Sequence, residues 1–383
     1  MAIEELRDAR GATNPLFNSN RLKLGVFGFN VSRGATITLA EGAFEADWPT
    51  VRRIGQLADA AGFEALVPVA RWRGFGGPSN FNGATFETYT WAAGLAEATR
   101  HVAVLSTSHV PTVHPIVAAK QATTIDHISG GRFALNVVCG WYQPELEMFG
   151  ARVMEHELRY EYAAEWLEVM RLLWTREDEF DFDGRFFHIK RGVHQPKPIQ
   201  RPFPGIMNAG GSATGERFAA QQADMAFTGL PPGDSEAWRT KIDRLRDLAR
   251  EFGRQPRFWT SCAVVCRPTE KEARDYLRYY VEEKGDWEAA GNLVREGIGR
   301  NHVLTPEQRE RMTYRIVAGY GATPLVGTPE QIADQLVKIS AVGVDGCLLL
   351  WVNYEQGLEQ WNDQVMPLLE QAGLRKPFQP EAG

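Results

Sequence analysis

The chain has 383 residues, 44% of them apolar, enough for one large α/β barrel or two smaller domains. Its 42 basic and 48 acidic residues leave a formal charge of −6, and no Lys/Arg cluster forms a phosphate-backbone footprint, which argues against nucleic acid as a partner. The longest apolar run, residues 347–352, is far too short to cross a bilayer, so no membrane span is expected. The start of the chain lacks the charged-then-apolar pattern of a secretory leader, and a cytoplasmic location is expected. Cys139, Cys262, Cys266 and Cys347 lie in or near apolar segments and read as buried thiols of a reducing compartment. Cys262 and Cys266 have no further Cys or His at zinc spacing, so no metal site is expected there.

Residues 1–20 are polar and without period, and read as an arm lying on a partner subunit. Residues 21–375 read as a single domain. Apolar runs at 22–29, 65–69, 102–107, 133–139, 205–209, 223–228, 257–266 and 346–351 predict strands. Helical patterns follow them, at 47–61, 86–99, 116–128, 157–174, 212–222, 236–252 and 269–283, with 329–342 and 354–370 flanking the last strand. This alternation argues a parallel sheet, and in a chain of this length it fits a closed (β/α)8 barrel of the α/β class. Two insertions interrupt it, 176–204 and 284–324. The second is irregular and charged, and reads equally as a lid over the substrate or as a surface and subunit contact.

The stretch 125–147 organises the rest. Asp126, Ser129, Gly130, Gly131 and Arg132 end a helix and open a strand, the glycine pair supplying the left-handed turn. The strand 133–139 is nearly all apolar, as a strand buried on both faces should be, and Asn136 breaks it. A buried amide must be hydrogen-bonded. Gly140, Trp141 and Glu145 follow on a loop at the strand's C-terminal end, where parallel barrels carry their chemistry. Asn208-Ala209-Gly210-Gly211-Ser212 opens another helix. Ser212 reads as its N-cap, and the free N–H groups there suit an anion, although simple capping is the commoner use of Gly-Ser. No Gly-x-Gly-x-x-Gly lies between strand and helix, which disfavours a dinucleotide fold. His109 and His114 flank one loop at the barrel mouth but lack a third metal ligand, and His114-Pro115 reads as a helix start.

Asp126-x-x-Ser129-x-Gly131-Arg132, the strand with Asn136, and Gly140-Trp141 together resemble the bacterial luciferase-like flavin monooxygenases. Within them the chain is most similar to the pyrimidine monooxygenase and dimethylsulfone monooxygenase branch, over about 23–369. The resemblance implies a TIM barrel with insertions after its strands. It implies reduced FMN as cofactor, delivered by a separate NAD(P)H:flavin reductase, with O2 as co-substrate. It places the FMN phosphate at Gly211 and Ser212, with Arg159 and Tyr160 as its second contact. Ala70, Arg71, Asn136 and Glu145 match positions that touch the flavin. It further implies a homodimer or homotetramer. The reaction it implies is oxidative cleavage of a C–N or C–S bond in a small, heteroaromatic substrate such as a pyrimidine, with Asn136 and Thr107 as donors to the developing oxyanion. Riboflavin lyase, sulfone cleavage and a non-catalytic flavin-binding protein are the alternatives. His109 departs from the Thr and apolar residues of the pyrimidine branch and is the candidate acid/base group. Trp72, Trp141 and Tyr142 are expected to line an aromatic substrate pocket.

Overall fold

The computed structural model describes residues 10–231, 234–297 and 305–379. Strand β1 (Lys23–Phe27) leads into helix α1 (Trp48–Ala60), which Asp47 caps. Then come β2 (Ala65–Val67), α2 (Thr88–Ala98), β3 (Ala103–His109) and α3 (Pro115–Ile128). After β4 (Phe133–Val138) lie a short helix α4 (Gln143–Met148) and the long α5 (His156–Thr175). An antiparallel hairpin, β5 (Phe180–Asp183) and β6 (His188–Gly192), fills the first insertion. The barrel resumes with β7 (Gly205–Asn208), α6 (Ala213–Gln222), β8 (Met225–Phe227), α7 (Ser235–Arg250), β9 (Arg257–Cys266) and α8 (Glu270–Arg278). The second insertion is helical: α9 (Trp287–Glu296) and α10 (Pro306–Gly319). The chain ends with β10 (Thr323–Gly327), α11 (Pro329–Ala341), β11 (Gly346–Leu350), α12 (Tyr354–Gln360) and α13 (Met366–Gln371).

Strands β1, β2, β3, β4, β7, β8, β9 and β11 pair in parallel, and β11 returns to β1, so the ring is closed. This is the (β/α)8 barrel expected from the alternation. One strand of the main sheet was not foreseen. The lower part of β9 pairs with β8, and its upper part, from Cys262, pairs with β10 on the same side. Pro324 is tolerated in β10 because its residue is exposed and the strand is the sheet's edge.

The arm does not lie free of its own chain. Leu16 and Phe17 are buried in the barrel interior with Ala65, Ala103, Ala134, Met207 and Trp259. Asn14 donates to the carbonyl of Phe133, the first residue of β4. The described part of the segment therefore closes the barrel floor, where the sequence suggested a contact with a partner subunit. The Asp126-to-Arg132 part of the motif behind the family resemblance is also on this face. The Asp126 carboxylate accepts from Ile199 N, Gln200 N and Gln200 Nε2, which ties the first insertion to α3. The Arg132 guanidinium donates to the carbonyls of Ala96, Thr99, Val102 and Ser129. These residues build the scaffold and lie away from the mouth.

The described residues of the second insertion are largely helical, where the sequence suggested an irregular segment. Asp286 caps α9, and Thr305 with Gln308 forms a capping box on α10. Their apolar faces share a separate cluster with Phe75, Phe81 and Tyr142, residues of the loops above the barrel mouth. Asp286 also accepts from Ser79 N and Ser79 Oγ, so the loop after β2 is pinned to α9.

Candidate active site

Side chains alternate along each strand, and Ala103, Leu105 and Ala134 face the barrel interior. Thr107, His109 and Asn136 therefore continue the same inward face toward the C-terminal mouth. Thr107 and Asn136 are register partners across β3 and β4. Thr107 Oγ1 donates its proton to the Pro68 carbonyl at 2.6 Å, so it can only accept from Asn136 Nδ2, at 3.2 Å. That fixes the amide's orientation. Asn136 Oδ1 is left buried with no partner among the described residues.

Glu145 is the hub of the mouth. Helix α4 carries it back onto the loop after β2, where Oε1 accepts from Trp72 N at 2.6 Å and Arg73 N at 3.3 Å. Arg71 Nη1 lies 3.1 Å from Oε1, and His109 Nδ1 lies 3.3 Å from Oε2. The last contact is an ion-pair separation only, and Oε2 accepts no hydrogen bond among the described residues. Burial pushes the Glu145 carboxyl up; the nearby His109 ring, the Arg71 charge and the Trp72 N–H together outweigh it and hold the group below its ordinary value. It is therefore an anion at neutral pH.

Arg71 is nearly solvent-free. Its guanidinium sits over the rings of Phe75, Trp141 and Tyr142, 4.7, 5.3 and 5.5 Å from their centroids. Nη2 reaches Tyr320 Oη at 3.4 Å. Tyr320 belongs to the second insertion and holds a left-handed backbone (φ 55) at the end of α10. A non-glycine residue there is strained, a feature that gathers at functional sites.

The third group lies at the start of α6. Ser212 Oγ accepts from Gly215 N, and the Ser212 carbonyl takes Glu216 N. The N–H groups of Ala213 and Thr214 have no protein acceptor among the described residues, as is usual for a first helical turn. A Cβ on Gly211 would meet nothing within 4 Å, so a ligand can approach that backbone. A Cβ on Gly215 would lie 2.6 Å from Tyr160 Oη, which places the Tyr160 hydroxyl against this turn. Burial raises the Tyr160 hydroxyl above its ordinary value, with Ser212 drawing it partly back. Arg159 Nη1 donates to the Gly140 carbonyl, and its Nε is buried and bare. A helix N-terminus with a phenol against it is suited to an anion. Among the described residues no group of three His, Cys, Asp or Glu could hold a metal ion.

A luciferase-like monooxygenase family model matches residues 22–346. The chain belongs to the luciferase-like monooxygenase family. It is 31% identical over 360 residues to an FMNH(2)-dependent dimethylsulfone monooxygenase of Pseudomonas putida, covering 92% of this chain and 96% of that one. It is 30% identical over 354 residues to the pyrimidine monooxygenase RutA of Acinetobacter baylyi, covering 91% and 95%. Among solved structures, the fold is shared with riboflavin lyase RcaE at a TM-score of 0.82 and 20% identity, over 93% of each chain. DmoA from Hyphomicrobium sulfonivorans gives 0.80 and 20%, over 94% of this chain and 90% of that one.

In this luciferase-like barrel the expected site residues fall into three clusters. Arg71, His109 and Glu145 form one, Thr107 and Asn136 a second, and Tyr160, Gly211 and Ser212 a third, while Arg159 is held at the Gly140 carbonyl. Ala70 lines a cavity beside the first, of about 290 Å³ including its open mouth. The aromatic pocket is arranged differently from the expectation. Trp141 and Tyr142 face the Arg71 guanidinium, and Tyr142 Oη donates to the Gly74 carbonyl. Trp72 is 43% exposed and packs edge-on against Phe149. Thr107 also differs from its expected part, because its proton already belongs to Pro68. Phe75 and Tyr320 were missed. Phe75 sits in a Gly-rich loop that reads as a turn. Tyr320 meets Arg71 only because the insertion folds over the mouth, 249 residues along the chain.

Proposed function

We propose that this chain is a reduced-FMN-dependent monooxygenase that cleaves a C–N or C–S bond in a small molecule, with FMNH2 delivered by a separate flavin reductase. The observation that carries the reading is the first turn of α6, where the Ala213 and Thr214 N–H groups are bare, the Gly211 backbone is open and the Tyr160 hydroxyl lies against Gly215. The residues fit the cofactor. Ser212, the Ala213 and Thr214 N–H groups, Arg159 and Tyr160 would hold its phosphate. Asn136 Oδ1 would accept from a ring N–H. Two relatives of this chain, named as dimethylsulfone and pyrimidine monooxygenases, support the reaction class.

When bound, reduced FMN supplies the electrons with which O2 is activated. The protein's own groups do the rest. Glu145 Oε2, 3.3 Å from His109 Nδ1, would favour the tautomer protonated at Nδ1 and leave Nε2 with its lone pair. His109 can then take a proton as the bond breaks, or return one to the departing nitrogen or sulfur. Thr107 orients Asn136. The α9–α10 insertion shields the mouth from water.

An anaerobic titration tests the cofactor assignment. Wild type should bind reduced FMN more tightly than reduced riboflavin, which lacks the phosphate. Arg159→Ala should weaken FMN by about 1.5–3 kcal/mol, the worth of a charged hydrogen bond, and leave riboflavin unaffected. Equal FMN affinity in the two proteins would remove Arg159 from the site.

A further inference from the structure

Two acids stand at the first turn of α6, and they are neutralised unequally. Glu216 belongs to that turn and is buried. Its Oε2 accepts from Arg244 Nη2 at 2.7 Å, and Lys241 lies within electrostatic reach of the same carboxylate. Glu157 belongs to the first turn of α5, and its side chain is 74% exposed. It reaches across to α6, where Thr214 Oγ1 donates to it, 3.0 Å from Oε1 and 3.2 Å from Oε2. Among the described residues no lysine or arginine pairs with it, and its one ion-pair contact is His156 Nδ1, 3.5 Å from Oε1.

Thr214 is the second residue of α6, and its N–H is one of the two that are bare among the described residues of that turn. The Glu157 carboxylate therefore stands beside the donors that suit an anion, drawn there by the partial positive charge at the starts of α5 and α6. Its own charge is felt across the site. Burial raises the Tyr160 hydroxyl, and the Glu157 charge adds to the rise; that hydroxyl lies against Gly215 of the same turn. A dianionic phosphate laid on the Ala213 and Thr214 N–H groups meets an unneutralised carboxylate at close range. Glu216 offers no such opposition, because Arg244 and Lys241 balance it.

We infer that Glu157 lowers the affinity of this site for FMN: with no flavin bound it holds the Thr214 hydroxyl, and the cofactor's phosphate must displace it and bear its repulsion. Riboflavin, which has no phosphate, escapes that opposition. Glu157 thus trims the advantage of FMN over riboflavin and keeps the bound flavin exchangeable, as delivery from a separate reductase requires. The inference rests on the phosphate assignment above.

Anaerobic titration of the full-length protein with reduced FMN and with reduced riboflavin tests it. Glu157→Gln keeps the side chain's size and an acceptor oxygen and removes the charge. It should bind FMN about 3- to 10-fold more tightly than wild type, the effect of one exposed charge on a dianion, and riboflavin within about 2-fold of wild type. Glu157→Ala should show the same gain, which then owes nothing to the new amide. The gain should fall below about 2-fold near 1 M salt, where screening acts beyond about 3 Å. Unchanged or weaker FMN binding in both variants, an equal gain for riboflavin, or a gain indifferent to salt would each overturn the inference. The same titrations separate it from the assignment it rests on. A wild-type preference for FMN over riboflavin that both variants leave unaltered removes the role of Glu157 and keeps the phosphate site. No preference for FMN in wild type or in either variant removes the phosphate site, and this inference with it.

Discussion

Glu145 meets four donors, three of them on the loop after β2, and its loss should be felt in stability as well as chemistry. Glu145→Gln removes the anion but leaves the Arg71 guanidinium buried, a change that costs about 3–5 kcal/mol for a broken internal pair. The pH dependence has a definite sign. A carboxyl held below its ordinary value stabilises the fold fully above that value, and loses the contribution as pH falls through the depressed one. The denaturant gap between wild type and Glu145→Gln should therefore narrow in acid; a gap constant with pH would deny the anion its role. His109→Ala should lower turnover about 10²–10⁴-fold at saturating reduced FMN while FMN affinity holds. A rise in KM with turnover unchanged would make His109 a pocket wall only. From the sequence alone Glu145 is a surface acid in a polar Pro-Glu-Leu-Glu stretch, and Asn136 a structural amide; the resemblance singled them out. The reason is physical. Glu145 is buried by a loop 73 residues earlier in the chain, and no local pattern encodes that contact.

At the scale of elements, the eight barrel strands were legible because a strand covered on both faces reads as a continuous apolar run. Phe133–Val138 and Gly346–Leu350 are of that kind. Strand β10 was not, since Thr-Pro-Leu-Val-Gly is short and its proline argues against a strand. Helix α10 is rich in charge, and only its capping box marks it. Strand β5 of the hairpin alternates phenylalanine with aspartate, but the Gly and Pro surroundings of the hairpin read as loop. The contact between α9 and the loop after β2 makes its own prediction. Asp286→Ala frees Ser79 and removes the α9 cap, so amide exchange across 71–82 should quicken while β3 and β4 keep their protection. Unchanged exchange in 71–82 would mean that the aromatic cluster alone holds the loop.

Across the whole molecule the chemistry gathers at the C-terminal mouth, and the floor carries stability. Lys23 lies in that floor, its pKa lowered from 10.5 to about 7 by burial and the nearby Arg257, against the pull of Glu64 and Asp345. The unfolded chain then binds more protons than the folded one between about pH 7 and 10.5, so stability rises with pH across that window. Lys23→Met should flatten the rise, measured by denaturation at its two ends; an equal slope would contradict the burial argument. The described part of the arm, residues 10–20, no longer speaks for assembly, because Leu16 and Phe17 are spent on this chain's own barrel. A homodimer or homotetramer is expected from the family resemblance, and light scattering at micromolar concentration decides it. The central claim is that O2, activated by reduced FMN at this mouth, supplies the oxygen that breaks the substrate's bond. Product mass spectrometry under isotopically heavy O2, with a flavin reductase regenerating FMNH2 and lactams and sulfones offered as substrates, tests it most directly. One heavy oxygen atom per product molecule, dependent on FMNH2, is the result expected. Product oxygen drawn from water, or product formed equally without FMNH2, would contradict the account.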